Sequence, residues 1–246
     1  MRSNEVFFDG HRLNDLFGIG VIDVQPPSFE PNLLSRPRGS MWRGRRYGEG
    51  SISVALVAKR GRGRSVERST GELLSWLDVD GARMLTLPSD DGRRRLVVPT
   101  GVSVDDPEWG DRLTVSFEQV DPYLYGETRT ATMPSSATSV TLSVGGTAPT
   151  RPTVTCQMAY GAPSSLRVWQ LTDEDGDKVA LVLPDGNTHA VTIDCAARSA
   201  AIDGAPTTIT LESDWLELAP GEHTLRRTVG QVGSSTRISW VERWHR

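Results

Sequence analysis

The chain is poor in cysteine, with only Cys156 and Cys195 among its 246 residues. Two cysteines cannot form the network of disulfides that holds small secreted domains together. Both lie in segments that read as β-strands. We therefore expect two buried free thiols and no disulfide framework.

Long apolar runs are also missing. No segment approaches the ~20 apolar residues that a membrane-crossing helix needs, so we predict no membrane insertion. The first residues, MRSNEVFF, lack the apolar stretch of a signal peptide. The simplest expectation is synthesis and assembly in a cytosol.

Lysine occurs only at Lys59 and Lys178, and every other basic residue is arginine. A GC-rich genome explains this bias, and so does the suitability of guanidinium for interface contacts. Both explanations stay open. The net charge is -4, without an excess of basic residues in either half. We therefore predict no specific nucleic-acid partner.

Clusters that would carry chemistry are absent from the sequence. The histidines do not lie at metal-ligand spacing from one another or from a cysteine. The acidic stretch Asp173-x-Asp175-x-Asp177 begins like a calcium loop, but Gly176 precedes Asp177 and the twelfth position is not glutamate. The stretch 61–65 lacks the Lys-Ser/Thr of a phosphate loop. We predict no metal, no cofactor and no enzyme activity. The histidines are His11, His189, His223 and His245.

The turn pattern indicates a mostly β protein. Asp-Gly tolerates the positive φ angles of tight hairpin turns, so each such pair marks a chain reversal. Short segments rich in Val, Ile, Leu and Thr separate the pairs. The pairs are Asp9-Gly10, Asp80-Gly81, Asp91-Gly92, Asp175-Gly176, Asp185-Gly186 and Asp203-Gly204.

The first half predicts a small sheet and an arm. Ile52, Val54 and Leu56 alternate with other residues and predict a strand with one buried face. Residues 27–50, rich in Gly, Pro and Arg, are expected to form an extended arm. The other expected elements are a hairpin at 5–14 and strands at 19–24, 83–87, 93–104 and 113–120.

One amphipathic helix is expected within residues 65–77, covering one face of a sheet. Ser69 and Glu72 have the spacing of a capping box. The apolar residues on one helical face are Val66, Leu73, Leu74 and Leu77.

The second half reads as an antiparallel sandwich. Residues 126–150 are rich in Ser, Thr, Ala and Gly and resemble a linker, with one strand at 140–144. Many short strands with evenly spaced turns follow, which is typical of a sandwich. They are expected at 154–158, 166–171, 179–183, 189–195, 200–202, 208–211, 216–218, 224–229 and 237–244.

Five motifs, in this order, resemble the distal tail (Dit) proteins of long-tailed phages. Each motif alone is weak, but their order and spacing are specific and span nearly the whole chain. The motifs are VFFDGHRLNDLFGIGVIDVQ at 6–25, RGRRYGEGSISVALVAKR at 43–60, LTVSFEQVDPYLYGE at 113–127, VTIDCAARSAAIDGAP at 191–206, and LELAPGEHTLRR with ISWVERW between 216 and 244.

The resemblance implies a mainly β fold with two domains. Residues 1–127 would be a ring-forming β domain with one short helix. Residues 128–150 would hold a linker and a first strand, and residues 151–246 a galectin-like antiparallel β-sandwich. The residue pattern by itself indicates only two β-rich domains.

The resemblance also implies a function. The chain would be a structural virion protein at the phage tail tip, assembled in the host cytoplasm. It would form a hexameric ring that joins the tail tube to the receptor-binding apparatus. The implied partners are further copies of the chain, the tail tube protein, the tape-measure protein, and hub and receptor-binding proteins.

Interface residues are predicted from the arginine-rich segments, the Asp-Pro-Tyr motif and the C-terminal strand. Two basic clusters, one at Arg60, Arg62 and Arg64 and one at Arg93 to Arg95, are expected either to pair between subunits with acidic groups or to lie exposed on loops. The acidic groups considered are Asp105, Asp106, Glu108 and Asp111. The interface candidates are Arg43, Arg45, Arg46, Arg60, Arg62, Arg64, Asp121, Tyr123, Trp240 and Trp244.

The alternative function is a carbohydrate-binding module that aids host adsorption. Sugar recognition needs exposed aromatic side chains with polar neighbours. Trp169 or Trp215 would serve, although packing in the core is the simpler role for both.

Overall fold

The computed structural model describes residues 4–36, 39–48, 50–59, 65–105, 112–159, 168–183, 188–227 and 233–245. These residues form two compact units, each with its own core. Unit 1 comprises residues 1–125 with 245–246, and unit 2 comprises residues 126–244. Both are built mainly from antiparallel strands, and the described part has one α-helix. The mainly β fold is as predicted.

The main sheet of unit 1 has, among the described residues, seven antiparallel strands in the order β3-β6-β9-β8-β7-β1-β2. Residues on one face of its strands form the core, including Phe8, Ile52, Val54, Leu56 and Phe117. The strands are β1 Phe7–Phe8, β2 His11–Arg12, β3 Phe17–Gln25, β6 Gly50–Ala58, β7 Arg83–Thr86, β8 Arg94–Val104 and β9 Arg112–Met133. Two short 3-10 turns, Leu13–Asp15 and Pro88–Asp90, lie between strands.

The first hairpin forms at the predicted position. Asp9 and Gly10 have φ angles of 46° and 83°. Two successive positive φ angles characterise the hairpin turn whose twist matches the flanking strands. The predicted buried face of β6 is also confirmed, because Ile52, Val54 and Leu56 are all fully buried.

The helix α1 spans Val66–Leu77, but its N-cap is Ser65. The Ser65 hydroxyl accepts a hydrogen bond from the backbone amide of Arg68 at 3.2 Å. The predicted capping box at Ser69 and Glu72 is wrong, since Ser69 lies inside the helix, one turn after its start. Leu73 is fully buried, whereas Leu74 is 48% exposed and does not share its face.

The predicted arm is a two-stranded hairpin. Strands β4 Phe29–Arg36 and β5 Gly39–Tyr47 pair with each other. Among the described residues, neither pairs with a further strand. The glycines and prolines of this segment led to the prediction of an extended conformation, and each strand is extended. The pairing of the two strands with each other was not predicted.

The predicted linker differs from the structure at its start. Strand β9 continues without interruption to Met133, which is fully buried. The boundary between the units falls inside this strand. Ser and Thr are compatible with a strand, so the composition of residues 126–133 did not distinguish a strand from a linker.

Unit 2 has two sheets around one core. The first has the order β18-β11-β14-β15-β16 and the second β10-β17-β12-β13. Core residues come from both, for example Val154 and Ile238 from the first sheet and Trp169 and Leu225 from the second. The strands are β10 Ser139–Val144, β11 Thr153–Ala159, β12 Val168–Thr172, β13 Lys178–Val182, β14 Thr188–Asp194, β15 Ser199–Ile202, β16 Ala205–Thr207, β17 Gly221–Arg227 and β18 Gly233–His245.

Two predicted strands of unit 2 are wrong. Residues 208–211 form no strand, and β16 lies just before them instead. Residues 216–218 contribute only an isolated bridge between Thr150 and Leu218. Both segments carry apolar residues that pack in or against the core. These residues give the sequence a strand-like pattern, although neither segment forms the continuous backbone hydrogen bonding of a strand.

Cys156 and Cys195 are buried and free, as predicted. Burial raises the pKa of Cys156 to about 12 and that of Cys195 to about 11. In the described part of the chain, no helix is both long and apolar enough to span a bilayer.

Candidate assembly surfaces

The Asp-Pro-Tyr motif forms a wide bulge in β9. On β8, Arg95 pairs with Leu124 and Val97 pairs with Gln119. Residues 120–123 of β9 therefore lie opposite Leu96 alone. Such an insertion bends the strand and directs its side chains away from the regular sheet. Two predicted interface residues, Asp121 and Tyr123, lie in this bulge.

Hydrogen bonds within the bulge fix its shape. One carboxylate oxygen of Asp121 accepts from the Tyr123 amide at 3.0 Å, and the other accepts from the Tyr125 hydroxyl. The Gln119 side-chain amide donates to the Asp121 carbonyl at 2.7 Å. The Tyr123 ring also contacts the His245 ring, with centroids 5.2 Å apart.

A buried ion pair lies behind the bulge. Arg95, which is fully buried, donates from Nε and Nη2 to the two oxygens of Asp90 at 2.6 and 2.5 Å. Its Nη1 donates to Gln119 Oε1 at 3.0 Å. Arg95 thus orients Gln119, which in turn holds the backbone of the bulge.

This network corrects the interpretation of Arg95. The sequence placed it in a basic cluster at the surface or between subunits, but it is an internal residue of unit 1. Sequence reasoning also missed Asp90 and Gln119, because no sequence pattern shows that they converge on one arginine. Of the acids proposed as partners, Asp105 accepts from Thr114 Oγ1 at 2.6 Å, and Asp106, Glu108 and Asp111 lie outside the described residues.

The remaining predicted arginines are placed only in part. Arg43, Arg45 and Arg46 belong to β5, whose backbone is described but whose side chains are not. Arg60, Arg62 and Arg64 lie outside the described residues. Their interface role stays a prediction.

The two C-terminal tryptophans differ. Trp240 is 6% exposed and belongs to the core of unit 2, so it is not available at the surface as the predicted interface role requires. Trp244 is half-buried. Its ring lies against Gly126, where an added Cβ would be 2.7 Å from Trp244 Cζ3. A larger residue at this position would require the Trp244 ring to shift.

Strand β3 forms an edge of the unit 1 sheet that no described strand covers, with a bulge between Ile19 and Ile22. It is nine residues long and pairs with β6 on one side. No described strand pairs with its other side. Val21, at its centre, is 74% exposed. A groove of about 420 Å³ beside it is lined by Gly20, Val21, Ala55, Leu56, Val57, Asp105 and Arg112.

Two other sheet edges are protected. The opposite edge of unit 1, β2, is only two residues long. In unit 2, the edge of β13 is covered, because the Thr210 amide donates to the Ala180 carbonyl and the Asp214 amide to the Lys178 carbonyl. Short and covered edges resist pairing with other chains, whereas a long apolar edge favours it.

A second groove of unit 1 lies between the end of α1 and β8. It has a volume of about 530 Å³ and is lined by Leu74, Ser75, Leu77, Asp78, Pro99, Thr100, Gly101 and Val102. Leu74 makes this surface partly apolar.

The described histidines and acids form no reactive or metal-binding cluster. His11 stacks on Trp76 with ring centroids 4.6 Å apart. Among the residues that the structure describes, no group of three or more His, Cys, Asp or Glu could hold a metal ion. Asp173 accepts from the amides of Asp175 and Asp177 and so closes the hairpin turn between β12 and β13. Burial raises the pKa of Asp173.

Comparison with known proteins identifies relatives of the fold. Residues 145–244 match the family "Siphovirus-type tail component, C-terminal domain". The crystal structure of Dit (gp 19.1) from phage SPP1, described as a paradigm of the hub adsorption apparatus in phages infecting Gram-positive bacteria, covers 97% of this chain and 98% of its own, with 19% identity and a TM-score of 0.71.

Two phage P2 baseplate structures are more distant. The activated baseplate with Ca covers 91% of each chain, at 7% identity and a TM-score of 0.45. The same baseplate with Sr also covers 91% of each chain, at 6% identity and a TM-score of 0.46. No curated protein sequence matches the chain.

Proposed function

We propose that the chain is a distal tail protein of a long-tailed phage and that it forms a hexameric ring joining the tail tube to the tail-tip apparatus. Its role in the tail tip is structural. The observation that carries the proposal is the family match at residues 145–244. The fold shared with SPP1 Dit over 97% of the chain supports it further.

The ring would be closed through unit 1. Identical copies that meet head to tail form a ring when each uses two different surfaces. The exposed edge of β3 is suited to one of these surfaces, since it offers unpaired backbone groups beside the apolar groove at Val21 and Val57. The Asp-Pro-Tyr bulge, rigidly held by Gln119 and Arg95, is a candidate for the other.

The two faces of the ring would bind different partner proteins. One face would meet the tail tube and the tape-measure protein, and the other would meet the hub and receptor-binding proteins. Unit 2, a galectin-like sandwich in this proposal, would stand on the outside of the ring. The virion tail tip is then the site of action, after assembly in the host cytoplasm.

Imaging of the chain together with its tail tube protein tests the proposal. We expect an annulus with six-fold symmetry by negative-stain electron microscopy, capping the end of the tube. The tube protein is included because ring closure on a template would be missed with the isolated chain. Particles without an annulus would contradict the proposal.

The carbohydrate-binding alternative gains no support from Trp169. This residue, one of the two aromatic side chains considered for sugar contact, is 1% exposed and lies in the core of unit 2. Trp215 also packs against that core. A monomer that binds glycans and forms no ring with tail proteins would favour this alternative.

A further inference from the structure

His223, on β17, lies between two hydrogen-bond acceptors. Its Nδ1 is 2.7 Å from Oε1 of Glu174, in the turn between β12 and β13. Its Nε2 is 2.7 Å from the carbonyl oxygen of Ala219, just before β17. The His223 side chain is only 12% exposed, whereas that of Glu174 is 38% exposed.

Both contacts can be hydrogen bonds at the same time only if the ring carries two protons. A neutral imidazole carries one N–H and can donate to only one acceptor, whereas imidazolium donates from both nitrogens. Neither an ionised carboxylate nor a backbone carbonyl can donate in return. With a neutral ring, one nitrogen would face an acceptor at 2.7 Å without a proton between them.

We propose that His223 is a protonation-dependent clasp that fixes one corner of unit 2. As imidazolium it ties together the β12–β13 turn, the segment around Ala219, and β17. Glu174 adds a further bond, because its Oε2 accepts from the Thr224 backbone amide at 2.9 Å. Loss of the His223 proton breaks one contact and weakens the hold on Glu174.

Charged groups around the clasp are mostly acidic. The β12–β13 turn contributes Glu174 and, further along, Asp175 and Asp177, while β17 itself contributes Glu222, Arg226 and Arg227. Strand β10, which pairs Leu142 with His223, has no ionisable residue. Glu174 contacts the imidazole directly.

The clasp closes within a window of pH. Although partial burial acts to raise the pKa of Glu174, hydrogen bonds from backbone amides and His223 outweigh it and lower that pKa. The carboxylate therefore stays ionised to a lower pH than in an unfolded chain. The clasp opens when the imidazole carries only one ring proton, and the ion pair is also lost at low pH once Glu174 is protonated.

A second pair in unit 2 provides a contrast. His189 Nδ1 is 2.6 Å from Oδ2 of Asp203. No hydrogen-bond partner is found for its Nε2 among the described residues. One proton on the ring satisfies this arrangement, so no clasp is expected there. Asp203→Asn is therefore a matched control for Glu174→Gln.

Hydrogen exchange of the Thr224 amide tests the proposal in the full chain. After correction for intrinsic exchange, we expect its protection to fall by about tenfold between about pH 6 and about pH 9, as for loss of a hydrogen bond to a charged group. Glu174→Gln should abolish this pH dependence, and Asp203→Asn should leave it intact. Nitrogen-15 NMR at the lower pH should show both His223 ring nitrogens protonated.

Three results would overturn the clasp. They are equal Thr224 protection at both pH values, persistence of the pH dependence in Glu174→Gln, and a His223 ring with one N–H at the lower pH. His223→Gln serves as a second variant, expected to keep protection low at both pH values. None of these measurements depends on ring assembly, so the clasp and the proposed function can fail separately.

Discussion

Arg95 shows how a single residue can position a surface that it does not reach. Its guanidinium is fully buried and bound to both oxygens of Asp90. Two charges taken out of water are costly unless each is fully hydrogen-bonded. Here the third guanidinium nitrogen, Nη1, donates to Gln119, and the Gln119 side-chain amide donates to the Asp121 carbonyl. The shape of the bulge therefore depends on the hydrogen bonds among Asp90, Arg95 and Gln119.

Removal of Arg95 should strongly destabilise unit 1. Arg95→Met leaves the Asp90 carboxylate buried without its partner, and we expect a loss of about 3–5 kcal/mol in the free energy of unfolding. Urea denaturation measures it. Arg12→Met, at a half-exposed pair with Glu5, is the control and should cost at most about 1 kcal/mol. Equal effects of the two variants would contradict the assignment of Arg95 as a buried anchor.

The thiols should be inert in the folded chain. Burial raises the pKa of Cys156 to about 12 and of Cys195 to about 11, and only the thiolate reacts rapidly. A thiol reagent at mildly alkaline pH should modify both only after addition of denaturant. Rapid modification of either one in the native chain would show that its strand opens readily.

The same shifts predict loss of stability at high pH. A cysteine thiol ordinarily has a pKa of 9.0, and the folded values of both thiols are higher. The unfolded chain therefore releases these protons first. Any stability contributed by the two thiols is fully present below about pH 9 and is lost as the pH rises toward 12. Cys156→Ser and Cys195→Ser should each show a smaller decline in urea midpoint over that range.

At the scale of elements, the helix shows which local signals decide a boundary. Two serines lie near its start, Ser65 and Ser69. The Ser65 hydroxyl accepts a hydrogen bond from a backbone amide of the first turn, and Ser65 itself has an extended backbone conformation. Ser69 is buried within the helix and donates its own amide to the Ser65 carbonyl.

Substitution of the true cap should destabilise the helix. Ser65→Ala leaves an amide of the first turn without its partner, and we expect a loss of about 1 kcal/mol in unfolding free energy. Ser75→Ala, at an exposed serine of the same helix, is the control and should change stability by less than about 0.5 kcal/mol. Urea denaturation compares the two. No loss in Ser65→Ala would show that another group caps the helix.

Strand edges differ in how they are protected. In unit 2, residues 210–214 hydrogen-bond to the free side of β13, which explains why a segment that reads as a strand is a covering loop. In unit 1, β3 has no such cover among the described residues. A long, apolar edge is suited to a partner chain.

At the scale of the whole molecule, the proposed ring depends on this edge. Val21→Lys places a charge on the exposed centre of β3 without disturbing the core, and we expect it to prevent ring formation on the tail tube. Val182→Lys, at a 58% exposed valine of β13 in unit 2, is the matched control and should assemble normally. The measurement is the fraction of tubes that carry an annulus in electron micrographs.

The outcomes separate two failures. If the wild-type chain forms an annulus and Val21→Lys does so equally, then the ring is closed through other surfaces. If the wild-type chain forms none, the proposed function itself is wrong. Circular dichroism of both variants should match the wild type, because neither valine is buried.

Much of the fold could be predicted from the sequence. The period-two alternation in β6 and β9 marks their buried faces, since one face of each strand must leave water. The Asp9-Gly10 pair marks a turn because few other residues tolerate its backbone angles. The ordered motifs along the chain resemble those of distal tail proteins, and the last two motifs lie within residues 145–244, which match a tail component family.

Chain-local patterns determined the β class, the hairpins, the helix and the buried cysteines, since each depends on neighbours in sequence. Only the tertiary structure decided that Arg95 is internal, that Trp240 is core, that β9 runs through the boundary between units, and that His223 lies between two acceptors. These features depend on residues that meet across distant strands and turns. Charge, burial and hydrogen bonding at such positions are set by those contacts and leave no periodic signal in the sequence.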